Sequence, residues 1–484
     1  MPYCLRAMLL ACLFLCMVVT IPCTGSATGA ITFTGNGADQ TKEISALLSK
    51  DGTYYFRGTV RTQGITLSGR TLTINFAPGS VWEPAGYADA LLSCHNCNFN
   101  FIHLNIDGKG IVQQAVHMDG GTLNFNTITV DHIGSRTRMP NNIVAGLMLN
   151  GVTSIHGNNF TAAHLNALGD HTIGDNIGAA RGIMMINSGP YQLGNVLVDW
   201  TGSDAEEADS FQVNINNAGG TVNNLKVVYN GNTRRCAKYQ SGTNVLSNVV
   251  VTKAADFTPV SAKTDVGKKN FNCISWEGNT TGSLDVLGGY IDASGFVKGI
   301  GNNTAGSTAT VRVHPGVTLI GSTKPVARTN TQTGLWENTD TYGFYTGLGE
   351  SGSGIEGAKV IHFTVGSSIR CNNGYSRNVT YDDPVARGLD VFNSARAINA
   401  PDVSNNTIIT RTKGYLSSWT VINVGAVTNG KFNSNKLVES GNHSLAFSLI
   451  NFTNQIASAT AYGNQAPKPM GGVVSPSGSN VRTQ

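Results

Sequence analysis

The chain has 484 residues with a net charge of +4, 58 glycines and only 13% charged residues, about half the usual charged share. So few charges, with no Lys/Arg-rich run, argue against a nucleic-acid partner. The scarcity of Ala, Leu, Glu and Lys relative to Gly, Asn, Thr and Val argues against a helical bundle and for short strands joined by Gly/Asn turns.

Residues 1–27 differ from the rest. Arg6 precedes an apolar run from Met8 to Thr20, and small residues Gly25, Ser26 and Ala27 follow. This reads as a secretory signal peptide cleaved after about Ala27, so the mature protein is expected to be secreted or periplasmic. The run is short for a membrane span, and no second one of that length follows. Five cysteines remain beyond it: Cys94, Cys97, Cys236, Cys273 and Cys371. Cys94 and Cys97 suit a local disulfide in an oxidising compartment, whereas buried thiols suit the odd total.

Residues 28–75 read as an N-terminal cap and first coil. A Gly35-Asn36-Gly37 loop leads into a short helix with Ile44, Leu47 and Leu48 on one face, then the aromatic strand Tyr54-Tyr55-Phe56. From 76 to 465 short apolar segments recur, closing at Asp119, Asn150, Asn187, Asn214, Gln240 and Glu277. A second series begins at Asn126, Asn195, Asn224 and Asn248. Repetition with variable turns is what a stack of parallel β coils needs: each coil must repeat its apolar positions, while loops leave the stack freely. The fold class is therefore all-β, a right-handed parallel β-helix with a short N-terminal capping helix. Residues 329–354 read as a loop insertion, and 466–484 as a flexible tail.

One coil pair is chemically dense. Asp204, Glu206, Glu207 and Asp209 fall within six residues, and Arg234, Arg235 and Lys238 follow one coil later. Stacking Asn214 on Gln240 sets Asp209 beside Arg235 and Gln212 beside Lys238. Alternation turns Glu206, Ser210 and Gln212 outward with Arg234 and Lys238, and gives Asp209 and Arg235 core parity. Crowded carboxylates raise one another's pKa, which makes Glu206, Glu207 and Asp209 acid/base candidates for glycoside hydrolysis. Asp204, Gln212, Arg234, Arg235 and Lys238 are the substrate-binding candidates. The same patch suits a polysaccharide lyase with Lys238 or Arg235 as base and Ca²⁺ held at the acids; hydrolysis needs no cofactor. A surface ion-pair network is the bland alternative. Asp170, His171 and Asp175 border the same region, and Trp200, Tyr239 and Trp276 are either sugar platforms or core.

The Gly37-Ala38-Asp39 opening, the Tyr54-Tyr55-Phe56 strand and the coil repeat resemble the pectin lyase-like superfamily over roughly residues 31–465, with an opening like that of tailspike polysaccharide depolymerases. Ala208-Asp209-Ser210-Phe211-Gln212-Val213 resembles the acid-bearing strand of polygalacturonase-type hydrolases, with Asp209 at the general-acid position; Arg235 and Lys238 resemble their Arg/Lys substrate motif. Ala208 replaces the first acid of that pair, and no Gly-His-Gly separates the acids from the basic coil. The resemblance implies a polysaccharide partner and hydrolase or lyase chemistry. A non-catalytic carbohydrate-binding or exopolysaccharide-assembly role is the alternative.

Overall fold

The computed structural model describes residues 29–483 except 136–142, 168–178, 206, 259–271, 279, 297, 303–306, 322–325, 330–335, 340–341, 346–350, 363–364, 384–386, 394–395, 411–419, 440–447, 454–457, 468–473 and 476–480. The signal-peptide reading of 1–27 lies outside these residues.

The described chain is almost entirely strand, and one helix, Thr41–Leu48, buries Ile44 and Leu48 beside the first coil. Nearly all pairings are parallel and link one coil to the next, as in an all-β solenoid. Two rows of strands matter for the site. The first comprises Val144–Asn150, Ala179–Ile186, Glu207–Val213, Thr233–Tyr239, Asn272–Trp276 and Lys298–Asn302. The second comprises the longer strands Ser154–Ala163, Tyr191–Asp199, Gly219–Tyr229 and Gly242–Lys253.

Register in the first row follows the apolar residues. Leu147, Ile183, Phe211, Ala237, Ile274 and Ile300 form one column. Leu149, Met185, Val213, Tyr239 and Trp276 form another. Both are buried. A slip of one residue would turn every one of these side chains away from the core, so the columns pin the register. The second row is also tied by an asparagine ladder: Asn195 donates to Asn159 Oδ1 at 2.8 Å, Asn224 to Asn195 at 2.9 Å and Asn248 to Asn224 at 3.1 Å.

Several expectations are corrected. Asn150 stacks on Ile186, not Asn187, because Asn187 has already entered a left-handed turn at φ 51. Trp336–Thr339, inside the expected loop insertion, pairs antiparallel with Val326–Thr329 at its leading edge. Val474–Ser475 and Val481–Arg482, within the expected loose tail, pair in parallel with Ser448–Phe452 and Ala459–Thr460. Cys94 and Cys97 are joined in a disulfide, and Cys236, Cys273 and Cys371 are buried free thiols. Among the described residues no helix is long and apolar enough to cross a membrane.

Candidate functional site

The strand Glu207–Val213 does not alternate as a plain strand would. Its pairing with Thr233–Tyr239 runs Ala208 to Thr233 and then Asp209 to Arg235, so Arg234 is an extra residue on the neighbouring strand at this point. Such a bulge breaks the two-residue period. On Glu207–Val213 itself Ser210 and Phe211 are both buried, and the Ser210 hydroxyl accepts a 2.8 Å hydrogen bond from the indole of buried Trp200. This corrects the outward assignment of Ser210. Neighbouring coils carry small residues in the same column. A Cβ on Gly182 would lie 2.6 Å from Val198 and 2.4 Å from the Ser210 carbonyl oxygen.

Asp209 and Gln212 share one side of the strand. Arg181, stacked on Asp209, spans both: its Nε donates to Gln212 Oε1 at 2.6 Å and stands 3.5 Å from Asp209 Oδ2. From the other side Arg235 Nη1 lies 3.3 Å from both Asp209 oxygens. Arg235 continues to Glu277, with Nε donating to Oε1 at 2.6 Å and Nη2 to Oε2. Glu277 Oε1 also accepts from Asn272 Nδ2 and Ser275 Oγ, both at 3.0 Å. The result is a ladder of alternating charge along the stack: Arg181, Asp209, Arg235, Glu277. Its first three members are buried, with Asp209 0%, Arg235 2% and Arg181 5% exposed, and Glu277 is half-buried.

Burial by itself raises the Asp209 pKa, but Arg181, Arg235, Arg234 and Lys238 outweigh it and hold the carboxyl well below the usual carboxylate range. Burial likewise opposes ionisation of Glu277, and Arg235, by charge and hydrogen bond, then Lys238 and Arg234, bring its pKa below normal. The half-buried lysines respond in the opposite sense. Lys238 is lowered, first by desolvation and then by Arg235 and Arg181 against the pull of Asp209 and Glu277. Lys298 is pushed down to about 8 by burial and by Arg370, partly offset by Glu277.

Gln212, Arg235, Asp209 and Lys238 thus meet as the residue spacing predicts, and Arg234 adds to the field on Asp209. Asp204 stands in the exposed turn before the strand, its N–H donating to Asn166 Oδ1 at 3.0 Å. Glu206 lies outside the described residues. Glu207 begins the strand opposite Ala179, and its side chain is likewise outside them. Asp170, His171 and Asp175 also fall outside. Trp200, Tyr239 and Trp276 are fully buried core residues. Arg181, Glu277, Asn272 and Lys298 were not expected. Arg181 had a signal: it precedes Ile183 by two, as Asp209 precedes Phe211 and Arg235 precedes Ala237.

Asp209 and Glu277 are engaged by guanidinium groups in a cationic field and do not offer the oxygen ligands that Ca²⁺ needs; the Glu206 and Glu207 side chains lie outside the described residues.

The same face continues toward the N-terminus. The Lys238–Gln212 column runs on through Met184 and Met148 to His117 and Ser93. There a cavity of about 450 Å³ is lined by Thr66, Tyr87, Asp89, Gln113, Gln114 and His117. Asp89 accepts hydrogen bonds from Tyr87 and Gln113, each at 3.0 Å. His117 lies three coils from Gln212, or about 14 Å at the spacing of parallel strands. No protein-family model, curated protein or solved structure matches this chain.

Proposed function

We propose that the chain is an exported right-handed parallel β-helix, capped by the helix Thr41–Leu48, that binds and cleaves an acidic polysaccharide along the face from Tyr87 to Lys298. The right-handed sense follows the general preference of parallel β connections. The observation that carries the reading is the Arg181–Asp209–Arg235–Glu277 ladder, flanked by lysines of lowered proton affinity and continuous in register with a polar cavity. A polymer lying along the stack meets one coil about every 4.8 Å, close to the length of a sugar unit. Arg181 and Arg235 are almost fully covered, so the half-buried Arg234 and Lys238 beside them are the cations suited to meet sugar carboxylates.

The electrostatics favour elimination over hydrolysis. Hydrolysis needs a carboxylic acid that keeps its proton near neutral pH, and the arginines hold both Asp209 and Glu277 ionised. A lysine with lowered pKa is a suitable base. Its amine removes the proton next to the uronate carboxylate, the bond to the leaving sugar oxygen breaks, a ring double bond forms, and the leaving oxygen takes a proton from water. Asp209 then holds Arg235 and Arg181 in place.

The test is incubation with a panel of acidic and neutral polysaccharides. Elimination produces new chain ends together with the ultraviolet absorbance of an unsaturated uronate. New reducing ends without that absorbance would assign hydrolysis, with Glu206, Glu207 and Asp209 as its acid set. Binding without chain shortening would leave a carbohydrate-binding or assembly role and remove both enzymatic readings.

A further inference from the structure

The turns after the long strands carry a second cluster of chemistry-bearing side chains. Asp131 ends the strand Ile111–Asp131 and His132 follows it; one coil later His164 follows Ser154–Ala163. Both histidines hold left-handed backbone, at φ 49 and φ 48, a region that residues with side chains seldom occupy. Their rings stack with centroids 4.6 Å apart and planes 11° from parallel. Both therefore turn Nδ1 toward one carboxylate. His164 Nδ1 is 2.7 Å from Asp131 Oδ1, and His132 Nδ1 is 3.3 Å from Asp131 Oδ2. One ligand atom from each of the three residues lies within 4.8 Å of the others. Asp107, held by Lys109 at 2.7 Å, comes within 3.5 Å of His132 Nδ1. The three side chains are 37–49% exposed, so an ion reaches them from solvent.

We propose that Asp131, His132 and His164 form a binding site for a borderline divalent transition ion such as Zn²⁺, Ni²⁺ or Co²⁺. Two imidazole nitrogens and a carboxylate are the donor set those ions favour, whereas Ca²⁺ and Mg²⁺ demand oxygen. Donor atoms around a tetrahedral ion with bonds of about 2.1 Å stand about 3.4 Å apart, close to the His132–Asp131 separation. An ion between them takes a lone pair from each Nδ1, so any proton on those nitrogens leaves to solvent. Its fourth position falls to water or to Asp107. This site is separate from the charged ladder and does not depend on the polysaccharide reading.

The probe is Co²⁺, added to the full chain prepared without a histidine tag. One equivalent is expected to give visible d–d bands that Zn²⁺ abolishes. His132→Asn and His164→Asn, chosen because Asn tolerates left-handed backbone, should each weaken Co²⁺ binding about tenfold or more, and the same change at His95, an exposed histidine of the strand Ala88–Asp107 outside the cluster, should leave it unchanged. Absence of the bands, or bands that survive both substitutions, overturns the proposal. A second measurement needs no variant. Zn²⁺ should protect His132 and His164 of the unaltered protein from diethyl pyrocarbonate, read by mass spectrometry; equal modification with and without Zn²⁺ overturns the site.

Discussion

Asp209 keeps its negative charge with no exposed surface, and only the cations around it make that state stable. Asp209→Asn preserves the shape but leaves Arg181 and Arg235 without their shared counter-charge. Breaking a buried pair in this way costs about 3–5 kcal/mol, so the variant should melt well below the parent in a thermal scan. The depressed pKa also sets a direction with pH. Asp209 stabilises the fold above the ordinary aspartate pKa of about 3.9, and that contribution is lost as pH falls from there toward its own lower value. Lys298 acts at the other end of the scale. Its folded pKa of about 8 lies below an unfolded value of about 10.4, so the unfolded chain binds more protons between the two and stability gains as pH rises from about 8 to 10. Lys298→Met should remove this alkaline gain from melting temperatures measured across that window. The pairings of Asp209 with Arg235 and Gln212 with Lys238 were legible, because Asn214 and Gln240 stack as counted. Arg181 was missed because aligning Asn187 with Asn214 moves it one place away from Asp209. Glu277 was missed because its side chain reaches back to Asn272 and Arg235, which strand counting does not foresee.

At the level of the strand, alternation was the source of both success and error. It predicts the buried columns through Phe211 and Val213, and it fails beside the bulge where Arg234 is inserted opposite the step from Ala208 to Asp209. No residue type announces that bulge. It follows from the different spacing of Ala208–Asp209 and Thr233–Arg235 on adjacent strands. The column Gly146, Gly182, Ser210 and Cys236 is the structural trace of two consecutive inward residues, since the inner wall has room only for small side chains there. Gly182→Val should therefore clash with Val198 and the Ser210 carbonyl. Overpacking of this kind costs about 1–3 kcal/mol. A lower melting temperature accompanied by altered fluorescence of Trp200, whose indole bonds Ser210, is the expected outcome. An unchanged melting temperature would mean that the wall is more yielding than its contacts imply.

Across the whole molecule, contacts run from each coil to its neighbours, so protection need not be uniform. Ala88–Asp107 and Ile111–Asp131 pair along nearly their full length, whereas later strands such as Ile398–Asn399 and Gly430–Lys431 contain two residues. Hydrogen exchange should be slowest in the former and fastest among the described amides of the latter; equal protection would contradict this gradient. The coil repeat was legible throughout the first half because apolar segments recur with a closing polar residue. It faded beyond about residue 310, where strands shorten to two to five residues and leave little pattern to count.

The alternating ladder also bears on how such a chain can change over generations. Repeat architectures ordinarily gain or lose a unit with little penalty, because each unit meets the next through equivalent surfaces. Here the units are not interchangeable. Excising the coil that carries Asp209 would set Arg181 directly against Arg235, and duplicating the coil that carries Arg235 would stack guanidinium on guanidinium. Sign alternation thus fixes the count of units between residues 181 and 277, leaving the flanking coils as the places where the array can lengthen or contract.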